Sequence, residues 1–233
     1  AGVPLAEVIT FAISKGLQGL ETLSGIPGTI GGAVFGNAGA YGHSMMEVVE
    51  RVEVLDVSRM STNSGTNITN VRKWLMNRQC GFGYRESILK KKNWIILRVV
   101  LELRPPAGGG DREVLKKKSR EIIATREKKY KPGIRCPGSF FKNVLVKDVS
   151  KKSLALVDSL KIIDGKIPAG WLLEQVEAKG MREGGIYIAD FHGNLFVNDG
   201  KGKARDVKAL ARKLKKKVFD RFGIMLEEEV RYF

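Results

Sequence analysis

Cysteine and histidine are scarce in this chain of 233 residues, and their scarcity removes whole classes of chemistry. There are two of each: Cys80 and Cys136, His43 and His192. Neither cysteine sits in a C-x-x-C pair, so ligand arithmetic gives no expectation of a metal site. Two cysteines in a chain this long do not make a disulfide framework. Two histidines, neither near a candidate nucleophile in sequence, leave a Ser–His–Asp triad unsupported. No apolar run approaches the ~20 residues that span a bilayer, so no membrane partner is expected. Ala1 to Glu7 lacks the basic n-region of a signal peptide, which makes a cytoplasmic location the default expectation. Acidic residues are outnumbered as well: 41 Lys and Arg stand against 25 Asp and Glu, a formal charge of +16.

Hydrophobic residues make up 43% of the chain, enough for a soluble protein with a sizeable core, as one large domain or two small ones. The positive balance suits nucleic acid, a membrane surface or anionic small molecules. Lys116 to Lys118, Lys128-Lys129 and Lys213 to Lys217 fall in segments that read as helices. A basic helix face is more often simply solvated, and no nucleic-acid-binding motif accompanies these runs, so nucleic acid is not expected as a partner.

Periodicity predicts a helix over 4–15, with Leu5, Val8, Ile9 and Ala12 on one face, and a strand over 49–57. It predicts a helix over 67–79 carrying Val71, Trp74 and Leu75, then a buried strand over 94–103. Residues 105–110 (Pro-Pro-Ala-Gly-Gly-Gly) read as a linker and domain boundary. Asp111 should cap a long helix reaching Tyr130, with Val114, Leu115, Ile122 and Ile123 inward. A loop over 132–138, a short helix over 171–179 and strands over 186–189 and 195–197 follow. A basic helix over 206–219 carries Val207, Leu210, Leu214 and Val218 on one face, and a strand over 229–232 closes the chain.

Residues 25–42 hold seven glycines, punctuated by Pro27, Thr29, Ile30, Asn37 and Tyr41. Glycine permits positive φ and close approach, and peptide N–H groups lining a concavity bind phosphate. The run reads either as a loop around a phosphate-bearing cofactor or as tight turns packed on a sheet. Three more clusters stand out. In Gly81 to Ser87, Arg85 is placed to bind a carboxylate bidentately, or else sits in a surface turn. In Pro137 to Asn143, Ser139 lies beside two phenylalanines with Lys142 and Asn143, or the phenylalanines are simply core. In Leu226 to Arg231, a glutamate near apolar chain is poised as an acid, or the patch is a solvated counterweight to the basic surface.

In this order, these clusters resemble the UDP-N-acetylenolpyruvoylglucosamine reductase (UDP-N-acetylmuramate dehydrogenase) family. The carrying residues are Gly19-Leu20-Glu21, Gly25 to Gly32, Asn37 to Gly42, Tyr84 to Ser87 and Gly138 to Asn143. To these are added Pro168 to Glu174 with Lys179-Gly180, and Leu226 to Val230. The resemblance covers nearly the whole chain. It implies an α+β flavoprotein in which residues 1–105 are a partial FAD-binding domain and 111–233 the C-terminal α/β substrate-binding domain. It implies NADPH-dependent reduction of UDP-N-acetylglucosamine enolpyruvate to UDP-N-acetylmuramate in peptidoglycan synthesis, with FAD as the cofactor. By the same resemblance Arg85, Ser139 and Glu229 are catalytic, Ser139 being the proton donor. Gly25, Ile26, Pro27, Gly28, Thr29, Gly31, Gly32, Asn37, Ala38 and Gly39 contact FAD, and Tyr84, Lys142 and Asn143 contact substrate.

The chain departs from the family pattern in two places. Residue 1 aligns where the family's N-terminal subdomain has already ended. The chain is therefore expected to be a fragment that binds FAD weakly or not at all. Residues 144–167 are extra, and Val144 stands where the family usually has proline. Two other readings compete: another oxidoreductase on the same FAD-binding scaffold, opposed by the Tyr84 and Ser139 clusters, and an inactive, FAD-free basic binding or scaffold protein.

Overall fold

The computed structural model describes residues 1–57, 71–106, 111–130 and 133–232, which form two units, Ala1–Lys128 and Lys129–Phe233. Each unit has its own core and mixes helices with antiparallel strands, an α+β arrangement.

In the first unit the elements are α1 (Leu5–Ser14), α2 (Ile30–Phe35), β1 (Gly39–Ala40), β2 (His43–Ser44), β3 (Val49–Asp56), β4 (Arg72–Met76), β5 (Trp94–Leu101) and α3 (Arg112–Lys129). Leu5, Ile9, Ala12 and Ile13 put one face of α1 into the core, as its 3.6-residue period requires. β3 is the centre of an antiparallel sheet of order β4-β3-β5. Val52 and Val54 alternate onto the core face and are fully buried. On β3, Glu53 is also buried, and its carboxylate accepts from Arg98 Nε on β5 at 2.5 Å.

The helix expected over 67–79 is overturned where it is described. Arg72–Met76 is a strand pairing with β3 from Arg51↔Met76 to Leu55↔Arg72, followed by a turn of 3-10 helix at Asn77–Cys80. Its residues 67–70 lie outside the described residues, as do 107–110 of the linker. β5 is half-buried rather than buried, with Ile95 and Arg98 exposed.

The long helix forms as expected, and the Asp111 carboxylate accepts from Glu113 N–H at 2.8 Å. Its inward face differs: Leu115 is buried, whereas Val114 and Ile123 are exposed. α3 packs on the first unit, which runs to Lys128. Leu115 joins that core, Ser119 hydrogen-bonds Ser24 at 2.7 Å, and Lys118 pairs with Glu21 at 2.8 Å.

The second unit contains β6 (Val144–Leu145), α4 (Lys151–Leu154), β7 (Lys166–Ile167), α5 (Ala169–Gln175), β8 (Arg182–Glu183), β9 (Ile186–Ile188), β10 (Phe196–Asn198) and α6 (Ala204–Phe222). β8, β9 and β10 make an antiparallel meander. α6 buries Leu210, Ala211, Leu214, Val218 and Phe222 along one face; Lys208, Lys213, Lys216 and Lys217 are exposed and Lys215 is half-buried. The extra segment is an excursion closed at its base by β6 and β7, where Val144 pairs with Ile167.

Phe140 stacks on Phe196 with ring centroids 3.7 Å apart, and Phe141 meets both edge-on. Both phenylalanines are therefore core, each contributing roughly 1.5–3 kcal/mol of burial. The closing strand expected over 229–232 does not form. The chain instead pairs at Glu227–Glu229 with residues 140–142, a contact that depends on a distant segment rather than on local pattern. Among the described residues, no helix is long and apolar enough to cross a membrane.

Candidate functional site

The glycine-rich run of the first unit is only partly loop. Thr29 caps α2, its Oγ1 accepting from Gly32 N–H at 3.2 Å, so the middle of the run is one and a half turns of helix. The N–H groups of Ile30 and Gly31 donate to Val3 and Ala1 carbonyls at 2.9 and 2.8 Å. Three amides that a cradle reading offers to phosphate are thus already bonded within the chain. Gly25, Pro27, Gly28 and Thr29 are exposed, with the Gly28 carbonyl accepting from Leu5 N–H at 2.9 Å. At Gly28, φ is +110° and an added Cβ would meet nothing within 4 Å, so glycine answers there to backbone conformation and not to packing. Beside it runs a groove of about 360 Å³ lined by Ala1, Gly2, Thr29, Gly31, Gly32 and Trp94. Exposed backbone beside a groove fits the approach of a cofactor along this run.

Beyond α2, Asn37 is buried at φ +43°, an uncommon conformation outside glycine. Its Nδ2 donates to the Gly83 carbonyl at 2.8 Å and its Oδ1 accepts from Met46 N–H at 2.9 Å. Asn37 therefore ties the run to the turn that carries Tyr84 and Arg85. In that turn Gly83 and Glu86 exchange both backbone bonds, and Arg85 has φ +55°. Arg85 Nη2 donates to the Gly39 carbonyl at 2.5 Å, and its guanidinium lies 5.3 Å from the Tyr84 ring centre. Gly39, Tyr84 and Arg85 are thus brought together by a strained turn, a feature that clusters at functional sites.

Within this unit Glu21 is a buried carboxylate. Burial opposes its charge, but the Lys118 ammonium and Gly19 N–H outweigh that and hold it below the usual glutamate range. Burial pushes the Cys80 thiol up to about 11, which leaves it a poor nucleophile.

In the second unit, Ser139 lies between two chain segments. On one side it bridges Leu195, and Phe140 N–H donates to the Asn194 carbonyl at 3.0 Å. On the other, Glu229 N–H donates to the Phe140 carbonyl at 2.8 Å and Lys142 N–H to the Glu227 carbonyl at 2.9 Å. This pairing sets the half-buried Glu229 beside the segment that carries Ser139. Lys142 is buried, and its Nζ pairs with Glu227 Oε1 at 2.5 Å. Asn143 Oδ1 accepts from Ala169 N–H at the start of α5, at 3.2 Å.

Three residues that motif reading did not single out complete this half. Tyr130 Oη lies 3.3 Å from Ser139 Oγ. Asn194 is buried and bonds the Phe141 backbone with both ends of its amide. His192 Nδ1 accepts from Asn194 N–H at 3.1 Å; burial, then the Lys129 charge, hold its pKa below the ordinary histidine value. None of them stands in a motif: Asn194 reaches Phe141 across 53 positions, Tyr130 reaches Ser139 across nine, and the His192 ring owes its burial to the fold of the unit.

Comparison with known proteins follows this geometry. Residues 129–233 match the model of the UDP-N-acetylenolpyruvoylglucosamine reductase C-terminal domain, and residues 1–59 match an FAD binding domain. A UDP-N-acetylenolpyruvoylglucosamine reductase of Solibacter usitatus is 45% identical across all of this chain, which spans 70% of that relative. The chain belongs to the UDP-N-acetylenolpyruvoylglucosamine reductase family. The protein of the same name from Pseudoalteromonas translucida is 34% identical over 99% of the chain and 72% of its own length. The crystal structure of the Thermus caldophilus reductase matches 99% of this chain and 70% of its own, with a TM-score of 0.70 at 30% identity.

Proposed function

We propose that this chain works as an NADPH-dependent flavoenzyme in the cytoplasm. It reduces the enolpyruvyl ether of UDP-N-acetylglucosamine to the lactyl ether, giving UDP-N-acetylmuramate for peptidoglycan. FAD, when bound along the glycine-rich run and reduced by NADPH, supplies hydride to the vinyl β-carbon. The chain's own residues do the rest. Ser139 donates a proton to the α-carbon. The Arg85 guanidinium offsets the negative charge that builds on the substrate carboxylate as it conjugates with the carbanion. Glu229 adds a carboxylate alongside Ser139, while Tyr84, Lys142 and Asn143 bind the nucleotide sugar. In this reading residues 1–105 serve FAD and 111–233 serve substrate, and the +16 charge helps attract three anionic ligands.

The observation that carries the reading is the pairing of residues 140–142 with 227–229, next to the bridge of Ser139 with Leu195. It sets the segment that carries the Ser139 hydroxyl and the Lys142 ammonium beside the distant segment that carries the Glu229 carboxylate. The test is half-reaction kinetics on Ser139→Ala. Flavin reduction by NADPH should proceed, whereas oxidation of the reduced flavin by the enolpyruvyl substrate should slow about 10²–10⁴-fold, the usual contribution of a placed acid. Equal loss in both halves overturns the assignment of Ser139. Bound FAD that NADPH leaves oxidised overturns the reading of an NADPH-dependent flavoenzyme.

A further inference from the structure

Serine is a weak acid for work near neutral pH, and once it has given up its proton it must be resupplied. We propose that Tyr130 is the residue behind Ser139, holding its hydroxyl in place and passing it the replacement proton. The inference rests on the reading of Ser139 as proton donor. The two hydroxyl oxygens are 3.3 Å apart. That exceeds the 2.5–3.0 Å of a tight hydroxyl pair, as is common for catalytic contacts without substrate, which tighten in the working complex.

The surroundings hold the phenol for this role. Its ring packs against the buried cluster of Ala189, Leu195 and Val197, which restricts its rotamers. Leu195 of that cluster also bridges the Ser139 backbone, so the cluster that holds the ring borders the chain that carries Ser139. Tyr130 is only half-buried, which leaves it a route to water. Lys129 Nζ lies 5.2 Å from the ring centre and puts positive charge beside a transient phenolate.

The step balances. The Ser139 proton forms the new C–H bond at the α-carbon, and the O–H electron pair stays on Oγ. In the same step the Tyr130 proton moves to Oγ and restores the hydroxyl, so two protons are in motion together. Water then returns a proton to the phenolate, so the cycle takes up one proton from solvent.

Tyr130→Phe removes the hydroxyl and keeps the ring. The substrate half-reaction should slow about 10-fold, short of the 10²–10⁴-fold expected for the direct acid, with flavin reduction as the internal reference. The rate of that half-reaction in mixed H₂O and D₂O should depend on deuterium fraction along a curve in wild type and a straight line in Tyr130→Phe, because one moving proton is lost. A purely structural role would not straighten it. In the protein without substrate, Ser139→Ala should move the Tyr130 ¹³Cζ resonance, since it removes the hydroxyl partner. An unmoved resonance overturns the contact. A slow Ser139→Ala beside a Tyr130→Phe with wild-type rate and curvature overturns the relay but keeps the acid. A fast Ser139→Ala overturns the reading beneath both.

Discussion

The Asn194 side chain grips the backbone of Phe141 with both of its polar atoms. Oδ1 accepts from Phe141 N–H and Nδ2 donates to Phe141 C=O, each at 2.9 Å, and all of it is buried. The amide stands in for a neighbouring strand along the segment that carries Ser139 and Lys142. Replacing it with alanine leaves two buried backbone groups without that partner, and an unsatisfied group costs roughly 1–3 kcal/mol. Asn194→Ala should therefore destabilise the second unit by about 2–4 kcal/mol. Trp171 is the second unit's tryptophan, whereas Trp74 and Trp94 belong to the first. Urea unfolding of a Trp74→Phe/Trp94→Phe background, followed by Trp171 fluorescence, reads this unit by itself. A loss under 1 kcal/mol would mean that water replaces the amide at little cost.

Glu21 gives the first unit a sensitivity to acid. Its carboxyl is held below the ordinary glutamate value of 4.5 because, against the cost of burial, Lys118 and Gly19 N–H favour the charged form. A depressed carboxylate contributes its full stability above the unfolded value and loses it as pH falls through the folded one. The urea midpoint of the first unit should thus hold steady above pH 4.5 and decline below it. Glu21→Gln should lower the midpoint at pH 7 and flatten the acid limb. An unchanged acid limb in the variant would assign the loss to other carboxylates.

The parts of this fold that sequence pattern predicts well are those whose period settles one buried face. α1 and α6 present apolar residues every three or four positions over whole turns, and β3 alternates Val52 and Val54. The segment at Val71, Trp74 and Leu75 misleads because three apolar residues at helical spacing also fit a short strand. What decides it is pairing with β3, which no local window contains. The face of α3 misleads for the opposite reason: much of its apolar surface has no core to enter, and Val114 and Ile123 stay exposed. The residues proposed for function divide along the same line. Arg85, Ser139 and Glu229 stand in short motifs, whereas Tyr130, Asn194 and His192 matter through contacts that exist only once the second unit folds.

His192 makes the second unit lose stability in a different pH range. Burial and the nearby Lys129 charge keep its pKa below 6.5, and its Nδ1 accepts a hydrogen bond that only the neutral ring can accept. Below pH 6.5 the unfolded chain binds a proton that the folded chain resists. Stability should then fall until the pH passes the folded value, and fall no further from this group. Nitrogen NMR should show Nε2 carrying the proton at neutral pH. His192→Asn keeps an acceptor near Nδ1 but cannot titrate, so it should remove this decline from the Trp171-monitored unfolding. A decline that persists in the variant would place its origin elsewhere.

Gly39 is where Arg85 depends on the absence of a side chain. A Cβ there would lie 2.5 Å from the His43 carbonyl oxygen and 3.0 Å from Arg85 Nη1, and the first of these is backbone that cannot swing aside. The β1–β2 hairpin must open, and the Gly39 carbonyl that receives Arg85 Nη2 must move with it. Gly39→Ala should destabilise the first unit by about 1–3 kcal/mol, the usual cost of overpacking. Part of that cost is the loss of the Arg85 contact, so the effect should shrink when Arg85 is already gone. In a double-mutant cycle on first-unit stability, Gly39→Ala and Arg85→Ala should couple by at least about 0.5 kcal/mol. Strict additivity would show that the hairpin clash alone accounts for the glycine and that Arg85 keeps its position without it.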